Sequence, residues 1–503
     1  MNNVYIVLPV IIHMITAILC LLSWYSVNIQ KVLSVIGNTA GLIVSIFLLK
    51  EVYTGPILTM QGGGWAAPFG ITFVADTFSL LLVSLTCISS LAITLYSFGA
   101  VTRHRMKYGF FVIVHFLIMG LNGAFLTGDI FNMYVWFEIV IIASFVLMTL
   151  GGEKPQMEGA IKYVALNMLA STFFLTAIGI LYGITGSLNM ADLAQKLAAI
   201  ENRGIVNITA LMFFVGFGIK SAVFPLYFWL PSSYHTPPST IAAIFGGLLT
   251  KVGVYALFRM FSLLFPMDNF MQNLMIIIAI LTMLTGAIGA WSKINIRRMF
   301  SYLIVCHIGY FIAGLGMFTH AALMAAIFYL IHDIIIKTNI FLMAGIMYKM
   351  KRSFNLEELG SIHKNYPYFS IIAFLILFSL AGLPPLSGFW SKIYLFGEAI
   401  SLERYALLFA LLFASFVTLF LMAKIWAQAF WKQRPEKFDL LEDRKDKYKE
   451  LKWNKKLILL GPVAFLLMIS LWIGFGADLF FQISDKIATE LQNPELYIKA
   501  VLK

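Results

Sequence analysis

Charged residues and cysteines are both scarce in this chain. Only 12% of its 503 residues are Asp, Glu, Lys or Arg, whereas 60% are hydrophobic. No soluble globular domain has this composition, so the sequence predicts a helical protein that crosses a membrane many times. The three cysteines lie in apolar runs without a CxxC pair or Cys/His spacing, which favours buried small side chains over metal ligands or disulfides. The sequence also lacks a haem-type motif and a glycine-rich nucleotide loop, so we expect no cofactor and no metal.

Apolar runs long enough to cross a hydrocarbon core of ~30 Å follow one another along the chain. There are fourteen, at about 4–23, 32–49, 77–100, 109–126, 130–150, 162–183, 207–231, 239–265, 271–291, 297–318, 321–348, 368–400, 405–431 and 456–476. The first run has no basic leader and no cleavage site, so we expect a membrane helix there and not a signal peptide.

The positions of the basic residues predict the orientation. The net charge of +12 does not indicate nucleic acid, because the basic residues cluster in short loops between the apolar runs. With the N-terminus outside, the inside loops hold 23 Lys and Arg residues, the outside holds seven, and six stay within the membrane. Cytoplasmic loops carry the excess of Lys and Arg in membrane proteins. We therefore expect both termini outside the cell.

The fold class is predicted as an all-α polytopic membrane protein with about fourteen helices. Residues 1–108 form three N-terminal helices, 109–265 a first five-helix repeat and 271–431 a second repeat. A cytoplasmic loop follows at 432–455, and 456–503 hold the last helix and a short tail. The repeats are the fourth to eighth and the ninth to thirteenth helices, and an odd number of helices makes the second copy inverted. The loop is either a solvated surface segment or a docking segment for a partner subunit.

Two runs combine a lysine with helix-breaking residues, so the seventh and twelfth helices should be broken. In residues 213–231, Lys220 lies between a glycine pair and Pro225. In residues 381–395, Lys392 follows a Pro-Pro pair and a glycine. An ammonium in hydrocarbon costs at least about 2.5–3.5 kcal/mol, so each lysine should face the protein interior. Proline leaves backbone carbonyls without their helical donors, and transporters build ion sites at such breaks.

Further ionisable residues lie at membrane depth. Glu138 stands in the middle of the fifth helix, and we expect it to pair with Lys220 so that each sets the proton affinity of the other; a static ion pair is the alternative. Lys251 either acts at membrane depth or extends to the inner surface. Asp333 and Lys337 are four residues apart on one helix and can form a pair.

The histidines have less specific expectations. His332 lies beside Asp333, and an imidazole can accept and donate a proton at once, so we expect it to act with Lys337 in a proton relay. His235 either gates proton uptake or caps the loop after the broken helix. His307 is expected to be a satisfied core residue, and Arg259 and Lys424 are expected to pack or to extend towards the surface.

Five segments resemble the antiporter-like subunits shared by Mrp-type cation/proton antiporters and respiratory complex I. They are YVWFE ending at Glu138, GIKSAVFPLYFWLPSSYHTPPS with Lys220, LLTKVGVYAL with Lys251, HDIIIKTNIFL with His332 and Lys337, and GLPPLSGFWSK ending at Lys392. The resemblance extends from about the third to the thirteenth helix. Lysine at the twelfth-helix position and the lack of a long C-terminal extension favour the D-type subunit of Mrp antiporters.

The resemblance implies a role for each matching residue. Glu138 and Lys220 correspond to the ion pair of the first half, and Lys251 to the residue that links the halves. His332 and Lys337 correspond to a relay, and Lys392 to the terminal residue of the second half.

The sequence therefore predicts a proton-translocating subunit of a multisubunit Na+/H+ antiporter in the bacterial cell membrane. Its expected partners are the other subunits, lipid, protons and Na+, with no nucleic acid, and it is a transporter subunit and not an enzyme. One alternative is a pumping subunit of complex I or of a related membrane hydrogenase. Another is a non-transporting scaffold whose buried charges are structural.

Overall fold

The apolar runs become helices in the computed structural model, which describes residues 3–265, 267–439 and 446–502. In chain order the helices are α1 Leu8–Leu22, α2 Val27–Thr54, α3 Thr77–Ala100, α4 Arg103–Lys107, α5 Phe110–Leu126, α6 Ile130–Thr149, α7 Lys154–Thr185, α8 Met190–Ala199, α9 Arg203–Ser221, α10 Trp229–Ser233, α11 Ser239–Ile244, α12 Thr250–Leu263, α13 Asn269–Trp291, α14 Ile296–Met317, α15 His320–Lys351, α16 Ile362–Asn365, α17 Pro367–Ala381, α18 Ser387–Ser401, α19 Tyr405–Ile425, α20 Glu436–Asp439, α21 Trp453–Phe475, α22 Ala477–Gln492 and α23 Pro494–Val501. A π turn at Phe245–Leu249 joins α11 to α12, and a second one at Trp426–Trp431 extends α19.

The many-helix membrane fold is confirmed. Within the described residues, 12 helices are long and apolar enough to cross a membrane. The count of fourteen is not confirmed, because the runs at 109–126 and 368–400 fold into the shorter apolar helices α5 and α17. The second of these runs continues into α18 beyond a break in the chain.

Four membrane-crossing segments form the centre of the molecule. The apolar stretches of α3, of α11 with α12, of α14 and of α15 are 83%, 100%, 94% and 89% buried inside the protein. In α1 and α2 the corresponding shares are only 39% and 33%, so these helices lie at the periphery. A helix that is apolar on all sides is buried on all sides, and polar side chains on it must find partners inside the protein.

Both helix breaks occur where the sequence predicts them. α9 ends at Ser221, Ala222 adopts a left-handed conformation with φ of 62°, and the helix resumes only at Trp229. The second break separates the end of α17 at Ala381 from the start of α18 at Ser387. Each break contains a cis X-Pro bond.

Each predicted repeat contains an isolated backbone bridge, and the two bridges occupy equivalent positions in the repeats. Asp129, just before α6, pairs with Asn189, just after α7. In the same way Asn295, just before α14, pairs with Asn355, just after α15. This correspondence supports the predicted repeat, while the division at 109–265 and 271–431 stays a prediction.

Some elements lie outside the predicted fourteen helices. Strands β1 Leu58–Gln61 and β2 Thr72–Ala75 form an antiparallel pair, a small exception to the all-α class. Beyond α21, where only a short tail was expected, α22 packs on α15, α3 and α12. In the predicted loop 432–455, residues 440–445 lie outside the described residues, and Arg434 is buried and donates to the Glu358 and Lys351 carbonyls at 3.0 and 2.9 Å.

A close helix crossing supplies a stability prediction. A Cβ on Gly286 of α13 would lie 2.6 Å from the Cys306 Cα of α14, so Gly286→Ala must push the two backbones apart. We expect Gly286→Ala to lower the melting temperature of the purified protein in detergent. The control is Gly179→Ala on α7, where a Cβ meets no protein atom within 4 Å. This control should keep or raise the melting temperature, because alanine favours helix by about 1 kcal/mol over glycine; equal effects of the two variants would contradict the close crossing.

Candidate functional site

Lys220 lies at the end of the helix before the first break, and it is buried with 7% of its surface exposed. Its ammonium donates to the Ser171 hydroxyl of α7 at 3.1 Å and lies 5.0 Å from the centre of the Phe137 ring. The break also changes the backbone, since the Ile219 carbonyl accepts a hydrogen bond of 3.0 Å from the Trp229 indole. The lysine therefore faces the protein interior, with a hydroxyl and an aromatic face as its partners.

Glu138 is close to Lys220 but does not touch it. The two charges interact through space, and the described residues contain no ion pair between them within 4.0 Å. Glu138 is half-buried, and none of the described residues forms a hydrogen bond with its Oε1. Val135 and Ile142 on the same side of α6 are exposed, so Glu138 lies at the edge of the chain. The direct pair expected from the sequence is thus a through-space interaction.

A small cavity lies beside Lys220. Its volume is about 20 Å³, and its walls include Asn167 of α7, Leu249 at the end of the π turn and Gly253 of α12. A cavity of this size holds about one water molecule, which needs polar partners. The cavity reaches from Lys220 to the residues on either side of Lys251, and it therefore connects the first broken helix with the next helix.

Lys251 forms the central ion pair of the molecule. Its ammonium is fully buried, lies 2.7 Å from the Asp333 carboxylate of α15 and donates to the Gly246 carbonyl at 2.9 Å. The wider π turn before α12 contains Gly246, and such turns leave carbonyls without their usual donors. The spacing allowed Asp333 to pair with Lys337, but the carboxylate turns towards α12 and forms its ion pair with Lys251. Lys251 consequently joins the two predicted repeats and does not extend to the surface.

His307 completes the surroundings of Asp333. Its Nδ1 lies 3.3 Å from the second carboxylate oxygen, and its Nε2 lies 3.3 Å from the Thr418 hydroxyl. His307 is thus a core histidine with two partners, as expected, but it also belongs to the charged cluster, which the sequence did not indicate. Lys337 is fully buried in the same helix as Asp333, and its ammonium has no hydrogen-bond partner among the described residues.

His332 connects the cluster to the second helix break. Its Nδ1 lies 2.7 Å from the Ser387 hydroxyl, and its Nε2 has no hydrogen-bond partner within residues 3–265, 267–439 and 446–502. Ser387, Ser379 and Ser470 form a triangle with sides of 2.8, 2.9 and 3.0 Å. Ser470 comes from α21, outside the predicted repeats, and sequence reasoning missed the triangle. A hydroxyl can donate and accept at once, so linked hydroxyls suit proton transfer.

Lys392 lies just after the second break and is 2% exposed. Its ammonium donates to the Ala381 carbonyl at 2.8 Å and to the Ser415 hydroxyl at 3.2 Å, and it lies 5.8 Å from the centre of the Tyr310 ring. Ala381 is the last residue of α17, so the break supplies the acceptor. Gly382 follows with φ of 83°, and a Cβ there would lie 3.1 Å from the ammonium.

His235 lies near the surface, apart from these residues. Its Nδ1 donates to the Pro231 carbonyl at 2.8 Å, and its Nε2 accepts from the Arg298 guanidinium at 3.1 Å. It borders a cavity of about 230 Å³ whose charged lining residues are Glu158, Lys162, Lys293 and Arg298. Burial, followed by the neighbouring Arg298 charge, lowers the pKa of His235 to about 4. This geometry favours the loop-capping role over the gating role.

The two remaining basic residues differ from each other. Arg259 is buried and forms an ion pair with Asp76, with its guanidinium against two tyrosine rings, so it packs inside the protein. Lys424 is half-buried near the end of α19. Asp76 was not singled out from the sequence, although its position at the start of a membrane helix is a signal for a helix cap.

A comparison with protein families identifies the family of the chain. Residues 127–418, more than half of the chain, match the family model for the membrane subunits of NADH:quinone oxidoreductase and Mrp antiporters. The chain belongs to this family. The match contains all the residues from Glu138 to Lys392 described above.

Individual members of the NADH:quinone oxidoreductase/Mrp antiporter family match over the whole length. The D subunit of the Na+/H+ antiporter of Alkalihalophilus pseudofirmus is 41% identical, and the alignment covers 100% of both chains. The Bacillus subtilis protein of the same name is 38% identical over 100% of both chains. Among solved structures, a chain of the Mrp complex from a Dietzia species superimposes with a TM-score of 0.90 at 27% identity, over 99% of each chain.

The ion pair between Lys251 and Asp333 supplies a stability prediction. Asp333→Asn keeps the shape but leaves the ammonium buried without its counter-ion, at a cost of about 3–5 kcal/mol. We expect a clear drop in melting temperature, and we expect Lys251→Gln in the same chain to recover much of the loss. The control is Asp192→Asn, which breaks the partly exposed pair with Lys196 and should cost at most about 1 kcal/mol. Equal effects of the two Asp→Asn changes would contradict a buried pair.

The surroundings of His235 supply a titration prediction. Arg298→Gln removes a neighbouring positive charge, so the pKa of His235 should rise from about 4. It should stay below the ordinary value of about 6.5, because burial, the larger cause, remains. Nuclear magnetic resonance of labelled histidine, assigned with His235→Gln, measures the shift. Lys293→Gln in the same cavity is the control without effect, and an unchanged His235 pKa in Arg298→Gln would contradict the contact with Arg298.

Proposed function

We propose that this chain is the proton-translocating membrane subunit of a multisubunit Na+/H+ antiporter in the bacterial cell membrane. The observation that carries the proposal is the buried ion pair between Lys251 and Asp333, which joins ionisable residues of the two predicted repeats. The full-length relatives, which are named as D subunits of Na+/H+ antiporters, support the same function. A transporter subunit, and not an enzyme, is the consistent description.

Protons would move along the buried side chains in steps. A cavity with room for about one water molecule borders Lys220 and the residues on either side of Lys251, and a water there would carry a proton onward from Lys220. Beyond Lys251, Asp333 offers a carboxylate, and Lys337 offers an amine with no hydrogen-bond partner. A charge on Lys337 costs more than a charge on Lys251, because a buried ion needs a counter-ion. Such unequal neighbours let a proton be loaded at one residue and released at another.

The second half of the route would lead from His332 to Lys392. His332 bonds to Ser387 of the serine triangle, and Lys392 bonds to the carbonyl at the end of the same broken helix. Both residues therefore contact the second break. Glu138 at the edge of the first half would act on Lys220 through space, so that a change in its position changes the cost of the lysine's charge.

Orientation and partners belong to the same proposal. The loops assigned to the inside hold 23 basic residues and the loops assigned to the outside hold seven, which supports both termini outside. The half-buried Glu138 and the exposed apolar residues beside it favour a neighbouring subunit along α6. We propose that the other subunits of the antiporter are these partners, with protons and Na+ as the transported ions.

The family also includes membrane subunits of NADH:quinone oxidoreductase, so a redox-driven pump is the rival function. Purification of the tagged chain from its native membrane separates the two. Co-purification with small membrane subunits alone supports the antiporter, whereas co-purification with quinone-reductase subunits supports the pump.

The proposed function predicts a large effect of Lys220→Ala on transport. Loss of a proton-carrying group should slow Na+/H+ antiport in membrane vesicles at least about tenfold. Glu138→Ala and Lys392→Ala should act in the same direction. Lys196→Ala, at an exposed lysine of α8, is the control and should transport like the wild type.

Assembly of the complex must be measured for every variant, by co-purification of the other subunits. A Lys220→Ala complex that assembles normally and keeps full antiport would favour the non-transporting scaffold.

A further inference from the structure

A second group of buried charges lies at the other end of α12, away from Lys251. Arg259 forms an ion pair with Asp76, the residue that caps α3, and its guanidinium lies 5.4 and 5.0 Å from the rings of Tyr255 and Tyr497. Asp76 and Arg259 are 2% and 5% exposed. None of these residues belongs to the proton route described above.

Glu490 adds a second carboxyl to this group. It lies on α22, and its two oxygens accept from the Thr77 hydroxyl at 2.7 Å and from the Thr77 backbone at 3.3 Å. Lys486, one turn earlier, lies 3.8 Å away, and the Glu490 side chain is only 11% exposed. Two carboxyl groups, those of Asp76 and Glu490, therefore lie next to the start of α3, together with the buried guanidinium of Arg259.

Crowding of negative charge and burial act together on Glu490. Burial raises the pKa of Glu490, and the nearby Asp76 charge raises it further, to about 7. Hydrogen bonding by Thr77 and the positive charges of Lys486 and Arg259 oppose this rise. An ordinary glutamate, with a pKa of about 4.3, stays ionised at neutral pH, whereas this one exchanges its proton there.

A polar face of α12 connects this group with the centre of the molecule. Lys251, Tyr255 and Arg259 are spaced by four residues, so they lie on one side of the helix over about 12 Å. The Tyr255 hydroxyl donates to the Phe125 carbonyl at 2.8 Å and accepts from the Arg259 guanidinium at 3.4 Å. Polar side chains on a fully buried helix mark a functional path more often than a structural one.

We propose that Glu490 is the residue that exchanges protons with water at the end of a branch that follows α12 from Lys251 to the surface. This inference rests on the proposed function and adds a terminal group to it. The Glu490 carboxylate takes a proton from water on its own side of the membrane, which is the predicted outside. It passes the proton through bound water along the Tyr255 side of α12 to the amine of Lys251, and the carboxylate is restored. Arg259 keeps its charge throughout and acts as a positioning residue.

Other ionisable groups around Glu490 must be separated from it in any pH experiment. They are Asp76 of α3, Arg259 and Tyr255 of α12, Lys486 and Asp485 of α22, Tyr497 of α23, His320 of α15 and Tyr53 of α2. His320 is 42% exposed and lies 3.6 Å from the Asp485 carboxylate, so it is the histidine of this group that must be tested separately. His320→Gln therefore serves as a control.

The experiment uses the complete complex in vesicles, with the pH varied on one side at a time. Glu490→Gln keeps the acceptor for Thr77 but cannot bind a proton. We expect the wild type to show an inflection near pH 7 on the predicted outer side, and Glu490→Gln to lose it with roughly tenfold slower antiport. Glu490→Asp should retain an inflection. Glu495→Gln, at an exposed acid of α23, and His320→Gln should keep the wild-type profile.

Infrared spectroscopy gives a readout that does not depend on transport. The wild-type complex should show a carboxyl band that titrates near pH 7 and is absent in Glu490→Gln. Thr77→Val removes a hydrogen bond that favours the carboxylate, so the inflection should move to higher pH. An unchanged pH profile in an assembled Glu490→Gln complex, or no band near pH 7, would overturn the inference and leave only a structural cap on α3.

A parallel measurement on Lys220→Ala separates this inference from the proposed function. If Lys220→Ala stops antiport while Glu490→Gln changes nothing, only the branch along α12 is wrong. If Lys220→Ala also transports normally, the proposed function itself is wrong.

Discussion

The ion pair between Lys251 and Asp333 is the contact on which the remaining arrangement depends. Both side chains are fully buried, on two of the four membrane-crossing segments that form the centre of the protein. A charge in such surroundings is tolerated only with a counter-ion and further hydrogen bonds. Gly246 and His307 supply those bonds on the two sides of the pair. Because α12 and α15 belong to different predicted repeats, this local requirement also holds the two halves in register.

The helix breaks serve the same requirement for solvation. A regular helix uses its carbonyls internally and leaves none for a buried ammonium. The end of α17 offers the Ala381 carbonyl to Lys392, and the π turn before α12 offers the Gly246 carbonyl to Lys251. Lys220 has the Ser171 hydroxyl, whereas Lys337 has no hydrogen-bond partner in the part of the chain that the structure describes. The buried amines are therefore solvated to different degrees.

The periodic and compositional features of the sequence sufficed for the membrane fold and for the positions of both breaks. Proline and glycine act on the backbone of their own segment, so their effect can be predicted from the local sequence. The partner of Asp333 could not be predicted in this way. Spacing along α15 favoured Lys337, but the side chain turns towards α12, which is 82 residues away in the chain at Lys251. The serine triangle and the contacts of Glu490 likewise join segments that are distant in sequence.

Local chemistry thus sufficed to identify which residues are ionisable, which segments cross the membrane and where helices end, because hydropathy, charge and backbone constraints act over a few neighbouring residues. The tertiary structure alone decided which charge pairs with which, how far Glu138 stands from Lys220, and that α22 brings Glu490 to the start of α3. These choices depend on helix packing, which brings together residues from distant parts of the chain and selects among partners that are chemically equivalent in the sequence.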